Sequence, residues 1–283
     1  MLNVSRRWLM VQETLGASLV TGSDKVASGF GNGDCILVDP CNMVFAVADG
    51  TERHTRSSRV FLERLREGLD SNDLPASLGE WQEIIQDTFN RQDYQCKTTF
   101  SMIALSCHQK EQGKAYIFNG GDSMILMAVR ESGNLLYSSD VNMTFAGRSK
   151  DPGQVKEVSY DPAKTRFILA TDGVHDLLRP FNEGIGVNLP SLLLEPNPAM
   201  IPGIVEERIS ALEAGSRAHD DIGLLVIDTR YIHEVDRGCV IMGGTTPQQE
   251  MLFRESLTGK HVENLVQVGT PDLADLYGGI TVL

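Results

Sequence analysis

Four aspartates stand at the ends of short apolar runs. Val44-Phe45-Ala46-Val47-Ala48 leads into Asp49-Gly50, and Ala115-Tyr116-Ile117-Phe118-Asn119 leads through Gly120-Gly121 into Asp122. Phe167-Ile168-Leu169-Ala170-Thr171 ends on Asp172-Gly173, and Asp220-Asp221 directly precedes the apolar run 222–227. Runs of this length and composition read as buried strands. A carboxylate at the end of such a strand has little choice of partner. Several of them converging, with no matching Lys or Arg nearby in sequence, repel one another unless a cation sits between them. An all-oxygen set suits a hard divalent ion, Mg²⁺ or Mn²⁺, rather than zinc.

The elements that must position these residues follow from periodicity. Strands are predicted at 16–20, 33–38 and 43–48, then a helix near 57–69 with Phe61, Leu62, Leu65 and Leu69 on one face. A second helix opens with Ser77 and Glu80 in capping-box spacing and carries Trp81, Ile84, Ile85, Thr88 and Phe89, the stripe of a helix packed on a sheet. Four successive strands (98–106, 114–119, 124–130, 135–138) are joined by short glycine-bearing loops, which force antiparallel neighbours. A polar segment, 140–161, reads as irregular. A strand at 166–171, a helix at 201–212 with Pro202 in its first turn and a strand at 222–228 close the set. Helices grouped between runs of antiparallel strands predict an α+β fold: two antiparallel sheets packed face to face as a central sandwich, with helices outside.

Bulk properties narrow the function classes. The 283 residues are 41% hydrophobic and 22% charged, ordinary for a soluble globular chain. With 25 basic and 38 acidic residues the net charge is −13, which disfavours nucleic acid as a partner. Cys35, Cys41, Cys96, Cys107 and Cys239 are odd in number and lack a C-x-x-C pair, so they read as reduced thiols. Gln12 and Glu13 interrupt the apolar N-terminal stretch before a signal-peptide core forms, and no run of 18 apolar residues exists. The expectation is a cytoplasmic protein with no membrane partner. The expected division is a catalytic domain over 1–230 and a C-terminal extension over 231–283. A helix is expected at 248–257, and the extension carries enough apolar material for a partner or for self-association.

Six motifs, in order, resemble those of the PPM family of metal-dependent protein phosphatases (protein phosphatase 2C-like). They are Asn32-Gly33-Asp34, Val47-Ala48-Asp49-Gly50, Lys97-Thr98-Thr99, Gly121-Asp122-Ser123-Met124, Thr171-Asp172-Gly173-Val174-His175-Asp176 and Asp220-Asp221-Ile222-Gly223, within residues 15–229. Turn formation accounts for one or two Asp-Gly pairs but not for the whole series. The resemblance implies that Asp49, Asp172 and Asp220 supply carboxylates to two Mn²⁺ or Mg²⁺ ions and the Gly50 carbonyl a further ligand. It implies that Asp34 acts through bound water, and that Asp122 and Asp176 serve a third, weaker ion. The implied reaction is hydrolysis of phosphoserine and phosphothreonine in phosphoprotein substrates by a metal-activated water, with no nucleophilic Ser or Cys.

The chain also departs from the family pattern. The phosphate-binding arginine falls on Gly29, the Glu of the first motif on Gly33, and the glycines usual after Asp-Gly on Thr51-Glu52-Arg53. Arg53 and Arg56 are candidate substitute phosphate contacts. His54 reads as a surface-helix residue or a general acid, and Arg148 as a loop residue or part of a substrate-facing flap. Two functions stay open: an active phosphatase, and a catalytically weak or inactive phosphatase-like module that binds or regulates.

Overall fold

A computed structural model describes residues 14–51, 54–70, 74–93, 95–106, 112–178, 189–230, 232, 239–246, 248, 266–268 and 280–282. Among these, the strands form two sheets. One is six-stranded: β1 (Leu15–Val20) lies beside β10 (Ile222–Asp228), then β9 (Thr165–Ala170), β6 (Met124–Val129) and β7 (Leu135–Ser138), with β13 (Ile280–Val282) on the outer side of β1. In the seven-stranded sheet β2 (Asp34–Asp39), β3 (Val44–Gly50), β4 (Thr98–Ser106), β5 (Gly113–Gly120) and β8 (Gln154–Tyr160) run in order. There β11 (Cys239–Gly243) and β12 (Val266–Val268) extend the β2 side.

Alternation along each strand builds three apolar layers. Ile36, Val38, Phe45 and Val47 face inward and meet Leu169, Leu225 and Ile227 of the other sheet. Cys35, Leu37, Ala46 and Ala48 face outward beneath helices α2 (Ser57–Asp70) and α3 (Leu78–Asn90). There Phe61, Leu62, Leu65, Trp81, Ile85 and Phe89 are buried, with the Phe61 and Phe100 ring centroids 4.9 Å apart. Burying each such side chain stabilises the fold by about 1.5–3 kcal/mol. On the far side of the six-stranded sheet α6 (Ile201–Ala214) places Ile201, Val205, Ile209 and Leu212 against Val20, Leu224 and Val226. The layer order is helix, sheet, sheet, helix, as the α+β expectation required.

Local chemistry agrees with these elements. Ser77 caps α3 by accepting from the Glu80 amide, and the Glu80 carboxylate accepts from the Ala76 amide. Pro202 sits in the first turn of α6. Part of the segment expected to be irregular is a strand. Among the described residues β8 pairs with β5 alone, and Lys156, Glu157 and Ser159 are exposed, so the stretch reads as polar. The seven-stranded sheet includes strands from beyond residue 230. Val240, Ile241 and Met242 of β11 pair with Val38, Leu37 and Ile36 and are buried in the layers on both faces. The helix expected at 248–257 lies outside the described residues except for Gln248. Among the described residues no helix is long and apolar enough to cross a membrane.

Candidate metal centre

Antiparallel pairing brings the acidic strand ends together. Asp34 at the start of β2 faces Asp49 at the end of β3, and Asp49 faces Thr99 near the start of β4. In the other sheet Ala170, the last residue of β9, lies opposite Leu224 of β10 on one side and Met124 of β6 on the other. Asp172, Asp221 and Asp122 therefore emerge at one end of the sandwich. Two contacts lock the sheets together there. The Thr171 hydroxyl donates to Asp34 Oδ2 at 2.5 Å, and the Asp221 carboxylate accepts the Gly22 and Gly33 amides at 2.6 and 2.7 Å. At the opposite end the buried Arg166 donates to Asp228 at 2.6 Å and to the Leu192 and Leu193 carbonyls, a satisfied structural pair.

Asp49, Asp122 and Asp172 each offer a carboxylate oxygen within 4.8 Å of the others. Thr98 donates to the Asp49 carbonyl at 2.5 Å, and the Thr99 and Ser123 hydroxyls bond at 2.9 Å, tying the turn that carries Asp122 to β4. Burial, reinforced by the charges of Asp172 and Asp122, holds the Asp49 carboxyl well above the usual carboxylate range. Burial and the neighbouring Asp49 and Asp221 do the same to Asp34, and burial with Asp122 and Asp220 raises Asp172. Burial pushes Asp221 to about 6, against the pull of its two amide donors. Asp122 Oδ1 is buried and accepts no hydrogen bond among the described residues. A crowded, oxygen-only set whose charges oppose one another, with one acceptor left unused, fits a hard divalent cation.

The carboxylates border a cavity of about 280 Å³ whose walls include Asp49, Gly50, Asp122, Asp220 and Asp221. The other expected residues fall around it. Asp34 is buried behind Asp49. Asp220 is half-exposed on the rim, and its amide donates to Asp176 Oδ2 at 3.1 Å, so Asp176 meets the Asp220 backbone while Asp122 stays with Asp49 and Asp172. Arg56, His54 and Arg148 are exposed and do not line the cavity, and Arg53 lies outside the described residues. Phe145 lines the cavity, and its neighbour Ala146 exchanges backbone hydrogen bonds with Thr98.

Gly29 is exposed at the left-handed C-cap of the short helix α1 (Ser23–Ser28), and a Cβ there would meet nothing within 4 Å. One turn earlier the buried Lys25 lines the cavity, its Nζ 3.6 Å from Asp220 Oδ1. Lys97 lines the cavity as well, its Nζ 5.5 Å from the centre of the Phe145 ring. Neither lysine was expected as a cation for the site. The signal for Lys25 lay in the punctuation of Ser23-Asp24 and Gly29, a start and a stop too close together for apolar periodicity to mark a helix.

No protein-family model matches the chain, and a search of curated proteins gives no match. Solved structures do match. The fold is similar to that of the PPM Ser-Thr phosphatase MsPP from Mycobacterium smegmatis, with a TM-score of 0.50 and 15% identity over 76% of this chain and 97% of that one. It is similar also to the photosystem II phosphatase PBCP, with a TM-score of 0.53 and 13% identity over 76% of this chain and 98% of that one. At such identities the likeness speaks of architecture. Two face-to-face antiparallel sheets, outer helices and acidic strand ends gathered at one edge give this chain the fold of the PPM phosphatases.

Proposed function

We propose that the protein is a metal-dependent phosphatase acting on phosphoserine and phosphothreonine side chains of proteins. The observation that carries this reading is the Asp49, Asp122 and Asp172 triad, with the orphaned buried oxygen of Asp122, at the end of a PPM-type sandwich. Asp49, Asp122 and Asp172 would hold Mn²⁺ or Mg²⁺, joined by the Gly50 carbonyl and Asp220 at the rim. Asp34 would act from behind through water, and Asp176 through the Asp220 amide that it accepts. Bound divalent ions supply an acidified water and neutralise phosphoryl charge, so the chain needs no nucleophilic side chain.

The chain itself supplies orientation and charge. Lys25 and Lys97 set two ammonium groups on the cavity wall, where they replace the planar fork of an arginine with point charges for phosphoryl oxygens. The Asp220 carboxylate keeps Lys25 directed to the rim. A cavity of about 280 Å³ admits a phosphorylated side chain and leaves the body of its protein outside. Phe145, next to the residue bridged to Thr98, forms part of the cavity wall.

Hydrolysis of p-nitrophenyl phosphate and of phosphoserine peptides, with and without chelator, tests this reading. Activity should vanish in EDTA and return with Mn²⁺ more readily than with Ca²⁺. Asp172→Asn should fold, bind Mn²⁺ more weakly by calorimetry, and lose turnover by roughly two orders of magnitude or more. Activity that survives exhaustive chelation overturns the metal mechanism. The exposed Gly29 in the arginine position favours a second reading, a phosphatase-like binding module. Mn²⁺ binding without hydrolysis of any phosphopeptide would select it.

A further inference from the structure

We infer that the strand-end segment 243–245 is a positioning device for the acidic centre, and that Thr245 is its key residue. The inference rests on the metal-site reading and extends it to a part of the chain beyond all six motifs. The segment grips the 31–34 stretch, which ends on Asp34, through both backbone and side chain. Thr245 N donates to the Asn32 carbonyl at 2.9 Å, and the Asn32 amide donates to Thr245 Oγ1 at 2.9 Å. The Gly244 amide donates to the Asp34 carbonyl at 2.7 Å. From the other side the Thr55 hydroxyl donates to the Thr245 carbonyl at 2.5 Å, and Arg59 Nη1 donates to the Gly243 carbonyl at 2.9 Å.

The approach is close enough to restrict composition. A Cβ on Gly31 would stand 2.0 Å from the Thr245 carbonyl oxygen, and one on Gly243, at φ +90°, would stand 2.1 Å from the Asp34 carbonyl oxygen. The effect reaches the cavity by two short routes. The gripped stretch includes Gly33, whose carbonyl accepts the Gly50 amide at 2.8 Å and the Ser58 hydroxyl at 2.6 Å. It also sets Asp34, whose carboxylate accepts from the Thr171 hydroxyl. A Thr245 side chain without its oxygen would leave the buried Asn32 amide unpaired and let Asp34 and Gly50 shift against Asp49. Partners that orient metal ligands in this way change metal affinity by roughly 10- to 100-fold when removed.

Calorimetric Mn²⁺ titration of the full chain, with thermal melts, tests this. Thr245→Val should weaken Mn²⁺ binding about tenfold, and Thr245→Ser, which keeps the hydroxyl, should restore it. Thr229→Val is the control for mere stability. That buried hydroxyl donates to the Pro162 and Thr165 carbonyls, and its loss should lower the melting temperature with Mn²⁺ affinity unchanged. Thr55→Val cuts the grip from the opposite side and should weaken Mn²⁺ binding in the same direction, which keeps the test informative if Thr245→Val fails to fold. Wild-type affinity in Thr245→Val, or in Thr55→Val when the first cannot be measured, overturns the inference. Equal loss in Thr229→Val overturns it too. Absence of Mn²⁺ binding by the wild-type chain overturns the metal reading itself, and this inference with it.

Discussion

The acidic centre is held together against its own charge. Asp34, Asp49 and Asp172 are raised above the ordinary carboxylate range by burial and by one another. A carboxyl raised in the folded state stabilises fully below its unfolded value near 4, and that contribution is lost as pH rises through the folded value. For Asp221 the loss runs from about 4 to about 6. In EDTA, Asp49→Asn should therefore melt above the wild type at neutral pH, by a few degrees, with the gap closing as pH falls toward about 4. Saturating Mn²⁺ at neutral pH should invert the order, because only the wild type keeps the full ligand set. Thermal melts across that range decide the matter, and a gap that ignores pH would contradict the electrostatic account.

At the scale of elements, α1 brings to the cavity what the Gly29 position does not. The helix places Lys25 on the wall and ends on Gly29, whose φ of 71° suits glycine and whose face meets open space. At saturating Mn²⁺, Lys25→Met should raise KM for an aryl phosphate about tenfold, the scale of one lost charge-assisted contact. Gly29→Arg should leave KM within about twofold and destabilise the protein by about 1 kcal/mol, because a side chain there must adopt the left-handed conformation. Steady-state kinetics and denaturant melts on the two variants separate these roles. A fall in KM for Gly29→Arg would show that an arginine at that position reaches the phosphate. Segment 145–146 is a second such element, since the Thr98–Ala146 bridge holds Phe145 at the cavity.

For the whole molecule, the sheet does not stop at residue 230. β11 buries Val240, Ile241 and Met242 between the layers and covers the open edge of β2. Those three side chains alone stabilise by about 5–9 kcal/mol, comparable with the net stability of many domains. A chain ending at Arg230 should consequently fail to fold cooperatively, which circular dichroism melts and solubility would reveal. We propose that the PPM-fold domain includes residues 239–246. A soluble, cooperative truncated protein that binds Mn²⁺ would return the boundary to residue 230.

Much of the fold and part of the site were determined by local sequence. Val44–Ala48, Phe167–Ala170 and Ile222–Ile227 are apolar runs that end on or follow aspartates, and Phe61, Leu62, Leu65 and Leu69 share one helix face whatever surrounds them. Periodicity and strand-end position are properties of neighbouring residues, so they are visible in a string of letters. Tertiary structure alone decided which aspartates meet: Asp122 joins Asp49 and Asp172, while Asp176 turns to the Asp220 amide. It also put Lys25 on the cavity wall and made β8 an edge strand whose polar residues hide its pairing. The clamps that fix the centre join residues 199 and 213 positions apart, Gly22 with Asp221 and Asn32 with Thr245. No local pattern encodes such pairs, because each forms only when strands far apart in sequence, β1 with β10 and β2 with β11, pair within a sheet and bring their ends together.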